Sequence, residues 1–351
     1  MHKFLANMRN LPLLIAFACV LLSCSGGQDR YVQISGYAQG GTYTVKINMK
    51  GVGVPVETVR DSVDAILNTI DTTLSGYNRS SQLARFNEGE KICPSSMFLE
   101  MYRMAYMFWE RSGGALDFAA GPLFDAWGFG FRNSSFPTDD EITSLRASCG
   151  MALLPPELPV QEGILDPAEI GSPRLNYNAV AQGYSCDLVA RYLYGIGVKD
   201  MLVDIGEIWC DGLNPAGQPW AVGIDRPNDR GENDQEKKAM ESVWTSDGKP
   251  CGMVTSGNYR KFYVKDGRKY AHTINPVTGY PVEHNLLSAT VVSSLSAAEA
   301  DAVATWCMVL GLEDAKKLIL DDSSLEGCLT YEAPDGSMQQ WFSPGFSLRK
   351  R

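Results

Sequence analysis

Residues 271–305 hold the groups best suited to chemistry. His272, one of only three histidines, opens a turn-rich segment containing Asn275, Pro276 and Gly279. An apolar alternating run follows, and after it Asp301 and Thr305 stand four residues apart. An imidazole can take a proton near neutral pH, and a loop ahead of a proline and a glycine can present it to a ligand. On a helix, positions i and i+4 share one face, so the Asp301 carboxylate and the Thr305 hydroxyl can converge on one cation. Both donors are oxygens, which Mg²⁺ prefers, and Mg²⁺ commonly combines a few protein ligands with phosphate and water. The pattern suggests metal-assisted chemistry on a phosphate. Taken alone, an Asp and a Thr at this spacing equally describe a solvated helix face, and a loop histidine is often only hydrogen-bonded. His284 has fewer turn residues around it.

Two other segments could bring backbone amides and hydroxyls to an anion. They are Gly40-Gly41-Thr42-Tyr43 and the stretch 254–260, which contains Thr255, Ser256 and Gly257. Neither matches GxxxxGK[ST] or GxGxxG, so P-loop and Rossmann readings fail. Tyr77 follows an expected helix and could stack on a flat ring or simply pack in its loop.

The elements that must position these residues follow from periodicity. Tyr43, Val45 and Ile47 alternate, predicting one strand over 36–48. Val56, Val59, Val63, Ile66, Leu67 and Ile70 give the one-sided spacing of a helix over 55–74. A second helix is expected over 95–111, its Met and aromatic stripe belonging to the core, stopped by Gly113-Gly114. Residues 116–132 read as loop, and 136–175 as a short helix with a Pro-rich connection. A helix is expected over 179–194, and strands over 201–209, 220–224 and 288–294. The charged, apolar-poor stretch 225–241 reads as a solvated insertion. Asp266-Gly267 signals a hairpin within 262–272. Ser296 and Glu299 have the spacing of a capping box that opens the helix carrying Asp301. Strands and helices intermix without regular βαβ alternation, which argues for an α+β fold.

Composition narrows the class. With 44% hydrophobic and 21% charged residues the chain is that of a folded protein, and its formal charge of −10 argues against nucleic acid as a partner. Lys3 and Arg9 precede an apolar core over 11–22, short of the roughly 20 residues a membrane span needs. The core ends in Leu21-Leu22-Ser23-Cys24, which resembles a lipobox with Cys24 as the lipidated residue. The expected organisation is a signal peptide over 1–23, a lipid-anchored tether over 24–30 and one domain over 31–351, with two packed subdomains possible. This places the protein in the cell envelope, anchored to a membrane and facing the periplasm. Seven cysteines remain, an odd number that leaves at least one thiol free, and no CxxC spacing supports structural zinc.

Read in order, the chain resembles the FAD:protein FMN transferases, the ApbE family. The segments that carry the resemblance are GGTYTVKI at Gly40, LSGYNRSSQLARFN at Leu74, GALDFAAGPLFDAWGFG at Gly114 and LNYNAVAQGYSCD at Leu175. They continue with LVDIGEIWCDG at Leu202, VTSGNYRKFY at Val254, HTINPVTGYP at His272 and ADAVATWCMVLG at Ala300. The resemblance implies a T-fold-related ApbE-like fold, with mixed sheets packed by helices and FAD in a central cleft. It implies Mg²⁺ held by Asp301, Thr305 and the backbone carbonyl of Ala179, with Ala304 contributing through its carbonyl. Gly40, Tyr77, Ala115, Leu116, Asp117, Asn176, Gln182 and Ile274 fall at FAD-contact positions, and His272 at the histidine of the transfer step. The implied reaction has a Thr or Ser hydroxyl of a target protein attack the FMN-side phosphorus of FAD, releasing AMP. The implied partner is an exported or periplasm-facing redox protein. Three departures stand out: Asn176 where Asp is usual, Gln182 where an acid or lysine is common, and Ile205-Gly206-Glu207 for a pair of glycines before glutamate. Hydrolysis of FAD to FMN and AMP, and FAD storage without turnover, stay open as alternatives.

Overall fold

In the computed structural model, which describes residues 30–130, 136–225, 240–258, 262–265, 268–271 and 273–349, the first element is a hairpin. Strands β1 (Tyr31–Ala38) and β2 (Gly41–Asn48) pair antiparallel, with Ala38 opposite Gly41. The single strand expected over 36–48 is therefore split. Gln39 (φ 52°) and Gly40 (φ 80°) both take left-handed backbone, the combination that reverses a two-residue hairpin.

Helix α1 (Val56–Leu74) buries Val59, Val63, Leu67, Ile70 and Leu74, the face its periodicity predicts. A short α2 (Gln82–Asn87) follows, capped by the Ser81 hydroxyl, which accepts from the Ala84 amide at 2.9 Å. Helix α3 (Ser96–Arg111) turns Phe98, Met101, Tyr102, Ala105 and Phe108 into the core, as its aromatic stripe predicts. The segment expected as loop over 116–132 contains α4 (Gly121–Ala126), with a proline in its first turn. Its glycines end this helix rather than prevent it, Gly128 at φ 78° turning the chain away. Helix α5 (Asp139–Ser148) carries a complete capping box between Thr138 and Glu141, and α6 (Ala181–Gly195) confirms the helix expected over 179–194.

The strand expected over 201–209 is also two strands, β3 (Met201–Asp204) and β4 (Ile208–Asp211), because Gly206 at φ 91° allows a tight reversal. Next come β5 (Ala221–Asp225), β6 (Met240–Thr245), β7 (Cys251–Gly257) and the hairpin β8 (Phe262–Lys265) and β9 (Arg268–Ala271). The two-residue strands β10 (Ile274–Asn275) and β11 (Tyr280–Pro281) pair with each other. The chain continues as β12 (Leu286–Ser293), α7 (Ala297–Leu310), α8 (Leu312–Asp321), β13 (Leu325–Glu332), β14 (Met338–Phe342) and β15 (Leu348–Arg349). The expected leader, the tether up to residue 29 with Cys24, the Asp266-Gly267 turn and most of 225–241 lie outside the described residues.

One sheet of eight strands organises the fold, in the order β1-β2-β3-β4-β7-β12-β13-β14, each neighbour pair antiparallel. Period-two alternation sends successive side chains to opposite faces. Val203, Val254 and Val291 join helix-side clusters with residues of α1, α6 and α7, while Leu202, Met253 and Val292 face Trp220, Trp244 and Phe346 on the other side. A separate sheet, β15-β6-β5, covers that second face. The α+β expectation holds. All seven cysteines of the described chain are free thiols, five of them buried.

Candidate active site

The position of Asp301 is set by how closely α7 can approach its neighbours. Ala297, at the start of α7, lies against Gly183 of α6 and Gly252 of β7. A Cβ at either glycine would fall inside the van der Waals envelope of Ala297 backbone atoms. With the backbones this close, the two helices cap each other. The Asp301 carboxylate accepts from the Gly183 amide at 3.0 Å, in the first turn of α6. In return Asp187, one turn further along α6, accepts from the Ala297 and Ala298 amides at 2.8 and 2.9 Å. First-turn amides have no intrahelical partner and favour negative charge, so each carboxylate has a physical reason to sit where it does. The Ser296 hydroxyl takes the Glu299 amide at 2.9 Å. The expected capping box is only half realised, because the Glu299 carboxylate turns instead to the Arg111 guanidinium at 2.5 Å.

Asp301 is only 5% exposed. Burial pushes its carboxyl up to about 7; the Gly183 amide opposes this and the Asp187 charge adds to it. Asp187 rises to about 6, burial again outweighing its two amide bonds and the nearby Arg191. Four residues along α7 from Asp301, the Thr305 hydroxyl lies 3.4 Å from the Ser256 hydroxyl of β7.

These residues face a cleft of about 1520 Å³ between the hairpin tip, the helices and the β10 segment. Gly40, Tyr77, Ala115, Leu116, Asp117, Asn176, Ala179, Gln182, Ile274, Asp301 and Thr305 all line it. The sequence expectations thus converge on one place. The Ala304 side chain is buried and outside the lining, its expected contribution being its carbonyl, and His272 lies outside the described residues. Thr273 and Ile274, which follow His272, do line the cleft, and the Thr273 hydroxyl donates to Asn258 Oδ1 at 2.6 Å. His284 packs away, one ring nitrogen bonded to the Met308 carbonyl at 2.9 Å.

Several lining residues are fixed by their own bonds. Asp117 accepts from the Ala119 amide at 2.9 Å and the Met151 amide at 3.0 Å, yet burial raises its carboxyl above the usual range. Tyr77 is 68% exposed, and its hydroxyl accepts from Asn178 Nδ2 at 3.3 Å. The family departures have local explanations. Asn176 Oδ1 accepts from the Asn178 amide at 3.0 Å, a bond an amide oxygen makes as a carboxylate does. Gln182 Nε2 donates to the Ile205 carbonyl at 3.4 Å, which a carboxylate cannot do. Sequence reasoning gave no site role to Glu207, Asn178 or Phe129, all of which line the cleft. Glu207 accepts from the Thr255 amide at 3.3 Å. Its sequence signal is the Ile205-Gly206-Glu207 motif, which stands out only as a departure at the glycines.

The charge of the lining is one-sided. Asp71, Asp117, Glu207 and Asp301 contribute carboxylates, and no Lys or Arg appears among the described lining residues. The described residues contain no cluster of three or more His, Cys, Asp or Glu side chains that could hold a metal. The candidate donor set is of another kind: one carboxylate, one hydroxyl and main-chain carbonyl oxygen. That set fits Mg²⁺, which takes hard oxygens and keeps positions for substrate and water. A carboxylate buried at this cost is the group that gains most from an adjacent cation.

Fold and cleft together define an α+β protein with a large acid-lined site on the helix-covered side of an antiparallel sheet. The model of the ApbE family matches residues 39–329, and the chain belongs to that family. It is 32% identical over 313 residues to the FAD:protein FMN transferase of Vibrio cholerae, covering 87% of this chain and 89% of the relative. Identity to the Escherichia coli K12 protein of the same name is 31% over 294 residues, covering 82% and 80%. Among solved structures, the apo Pseudomonas stutzeri flavinyl transferase ApbE superposes with a TM-score of 0.76 at 31% identity, covering 90% of this chain and 96% of that one. The V. cholerae flavin transferase ApbE gives 0.73 at 28%, covering 90% and 98%.

Proposed function

We propose that this protein is a flavin transferase that moves FMN from FAD to a Thr or Ser hydroxyl of a target protein, with Mg²⁺ and with release of AMP. The observation that supports the reading is the cleft that Asp301, Thr305 and Ala179 all line, with four carboxylates and no basic side chain among its described lining residues. A diphosphate placed against these carboxylates needs a cation between them. Asp301, Thr305 and the carbonyls of Ala179 and Ala304 would hold Mg²⁺, which supplies Lewis acidity and a template for in-line displacement.

The chain's own residues do the rest. Tyr77, braced at its hydroxyl by Asn178, offers an exposed ring face to the flat part of FAD. The Ala115–Asp117 loop, held by the amide bonds of Asp117, and Gly40 at the hairpin tip border the same space. His272 takes the proton of the acceptor hydroxyl, a contribution of about 10²–10⁴-fold in rate. The acceptor oxygen forms a bond to the FMN-side phosphorus, the bond to the AMP oxygen breaks, and AMP leaves. The transferase unit spans 31–351, tethered through Cys24 to an envelope membrane and acting on exported redox proteins. No helix of the described residues is long and apolar enough to cross a membrane.

The test is incubation with FAD, Mg²⁺ and a threonine-bearing acceptor peptide, followed by mass spectrometry. The expected result is a peptide carrying FMN and one AMP released per transfer. Free FMN made without regard to acceptor would point to hydrolysis, and FAD bound without either product would leave storage as the function.

A further inference from the structure

We propose that Asp187 is a positioning residue that sets the register of α7 against α6 and so assembles the cation donors of the cleft. The inference rests on the reading above, in which Asp301 and Thr305 hold Mg²⁺. Those two donors lie on α7, whereas Ala179 sits two residues ahead of α6. The donor set therefore spans two helices, and its geometry is only as good as their register. Asp187 fixes that register through both carboxylate oxygens, one on the Ala297 amide at 2.8 Å and the other on the Ala298 amide at 2.9 Å. One turn further on, the Asp301–Gly183 bond pins α7 a second time. Two pins on one helix resist both sliding along its axis and rotation about it. Asp187 itself is not among the cleft-lining residues, so its effect on the ion runs through the helix it holds.

Ser296 provides the contrast. It caps the same helix through the Glu299 amide at 2.9 Å, a bond within its own segment that leaves α6 untouched. Removing Ser296 Oγ weakens the start of α7; removing the Asp187 carboxylate also takes away one of its two pins to α6.

The experiment measures Mn²⁺ affinity by electron paramagnetic resonance on the full chain, and FAD affinity by fluorescence without metal. Asp187→Ala should weaken Mn²⁺ binding by about ten-fold or more, the usual effect of losing a supporting bond behind a metal site, with metal-free FAD affinity unchanged. Asp187→Asn keeps one acceptor oxygen and sets an NH₂ against the second amide, so its affinity should fall between. It carries the test if the alanine variant does not fold. Ser296→Ala should stay within about two-fold of the parent even if its melting temperature falls as far. Parent-like metal affinity in the Asp187 variants, or equal weakening in Ser296→Ala, would overturn the proposal. Asp301→Ala separates the two readings: if it binds Mn²⁺ like the parent, the cation site itself is wrongly placed. If it loses the ion while the Asp187 variants keep it, only the positioning role fails.

Discussion

At Asp301 two demands meet on one side chain. Its carboxylate caps α6 through Gly183, and it sits buried with its pKa pushed up to about 7. An amide could do the first job but not attract a cation. Asp301→Asn should therefore keep the fold and lower transfer by about 10²–10³-fold, the scale of losing several kcal/mol of charge stabilisation. Steady-state transfer across a Mg²⁺ titration checks this, and a parental rate would move the ion elsewhere. For His272 the expectation concerns the balance of two effects. His272→Ala should slow transfer by about 10²-fold or more while changing FAD affinity little, as befits a proton acceptor. Single-turnover rates beside FAD titrations separate the two, and the opposite balance would make His272 a binding residue.

At the scale of elements, glycine decides how α7 is seated. Alanine for glycine inside a helix ordinarily gains about 0.8–1 kcal/mol in propensity. At Gly183 the added methyl meets the Ala297 carbonyl, backbone that cannot rotate away. Overpacking of about 1–3 kcal/mol should outweigh the gain, so Gly183→Ala is expected to be destabilising in urea titrations. A neutral or stabilising result would mean that α6 and α7 can part at little cost. This also marks how far periodicity reaches. Helices α1 and α3 were legible because each has a buried and an exposed face. Helix α7 buries Ala297, Ala298, Ala300, Ala302, Val303 and Ala304 on nearly all sides, so only its Ser296 cap and its Asp/Thr spacing betrayed it. The hairpin splits at Gln39-Gly40 and Gly206 were missed because alternation on either side hides a left-handed turn. Glu299 left its capping box because Arg111, on a distant helix, offered a full charge.

Across the whole molecule, the site was legible as a set of residue types and illegible as a set of supports. The Asp301–Thr305 spacing is local, whereas the Asp187–Ala297 bond joins residues 110 apart, and no pattern in the chain announces it. Yet the burial that this bond requires of Asp187 has a thermodynamic signature. Asp187 is buried with a folded pKa of about 6, above its ordinary 3.8, and Asp117 and Glu299 are raised in the same direction by burial. Between the unfolded and folded pKa values the native state holds more protons than the unfolded chain, so stability falls as pH rises through that window. For Asp187 the window runs from about 4 to about 6, and the cost at pH 7 is on the order of 2–3 kcal/mol. Partly exposed acids lowered by lysine or hydroxyl partners, such as Asp166 and Asp322, pull the other way, so the parent's profile alone mixes both signs. Comparison with Asp187→Asn removes this group's titration together with its smaller push on Asp301. In urea titrations with EDTA at pH 4, 5.5 and 7, the parent should lose ground to the variant by that amount, nearly all of it between pH 4 and 6.5. A constant difference across the three would mean that Asp187 ionises as freely in the fold as out of it. A growing deficit, together with weaker Mn²⁺ binding in the variant, would show a carboxylate kept at a cost in stability because the helix it holds carries the site.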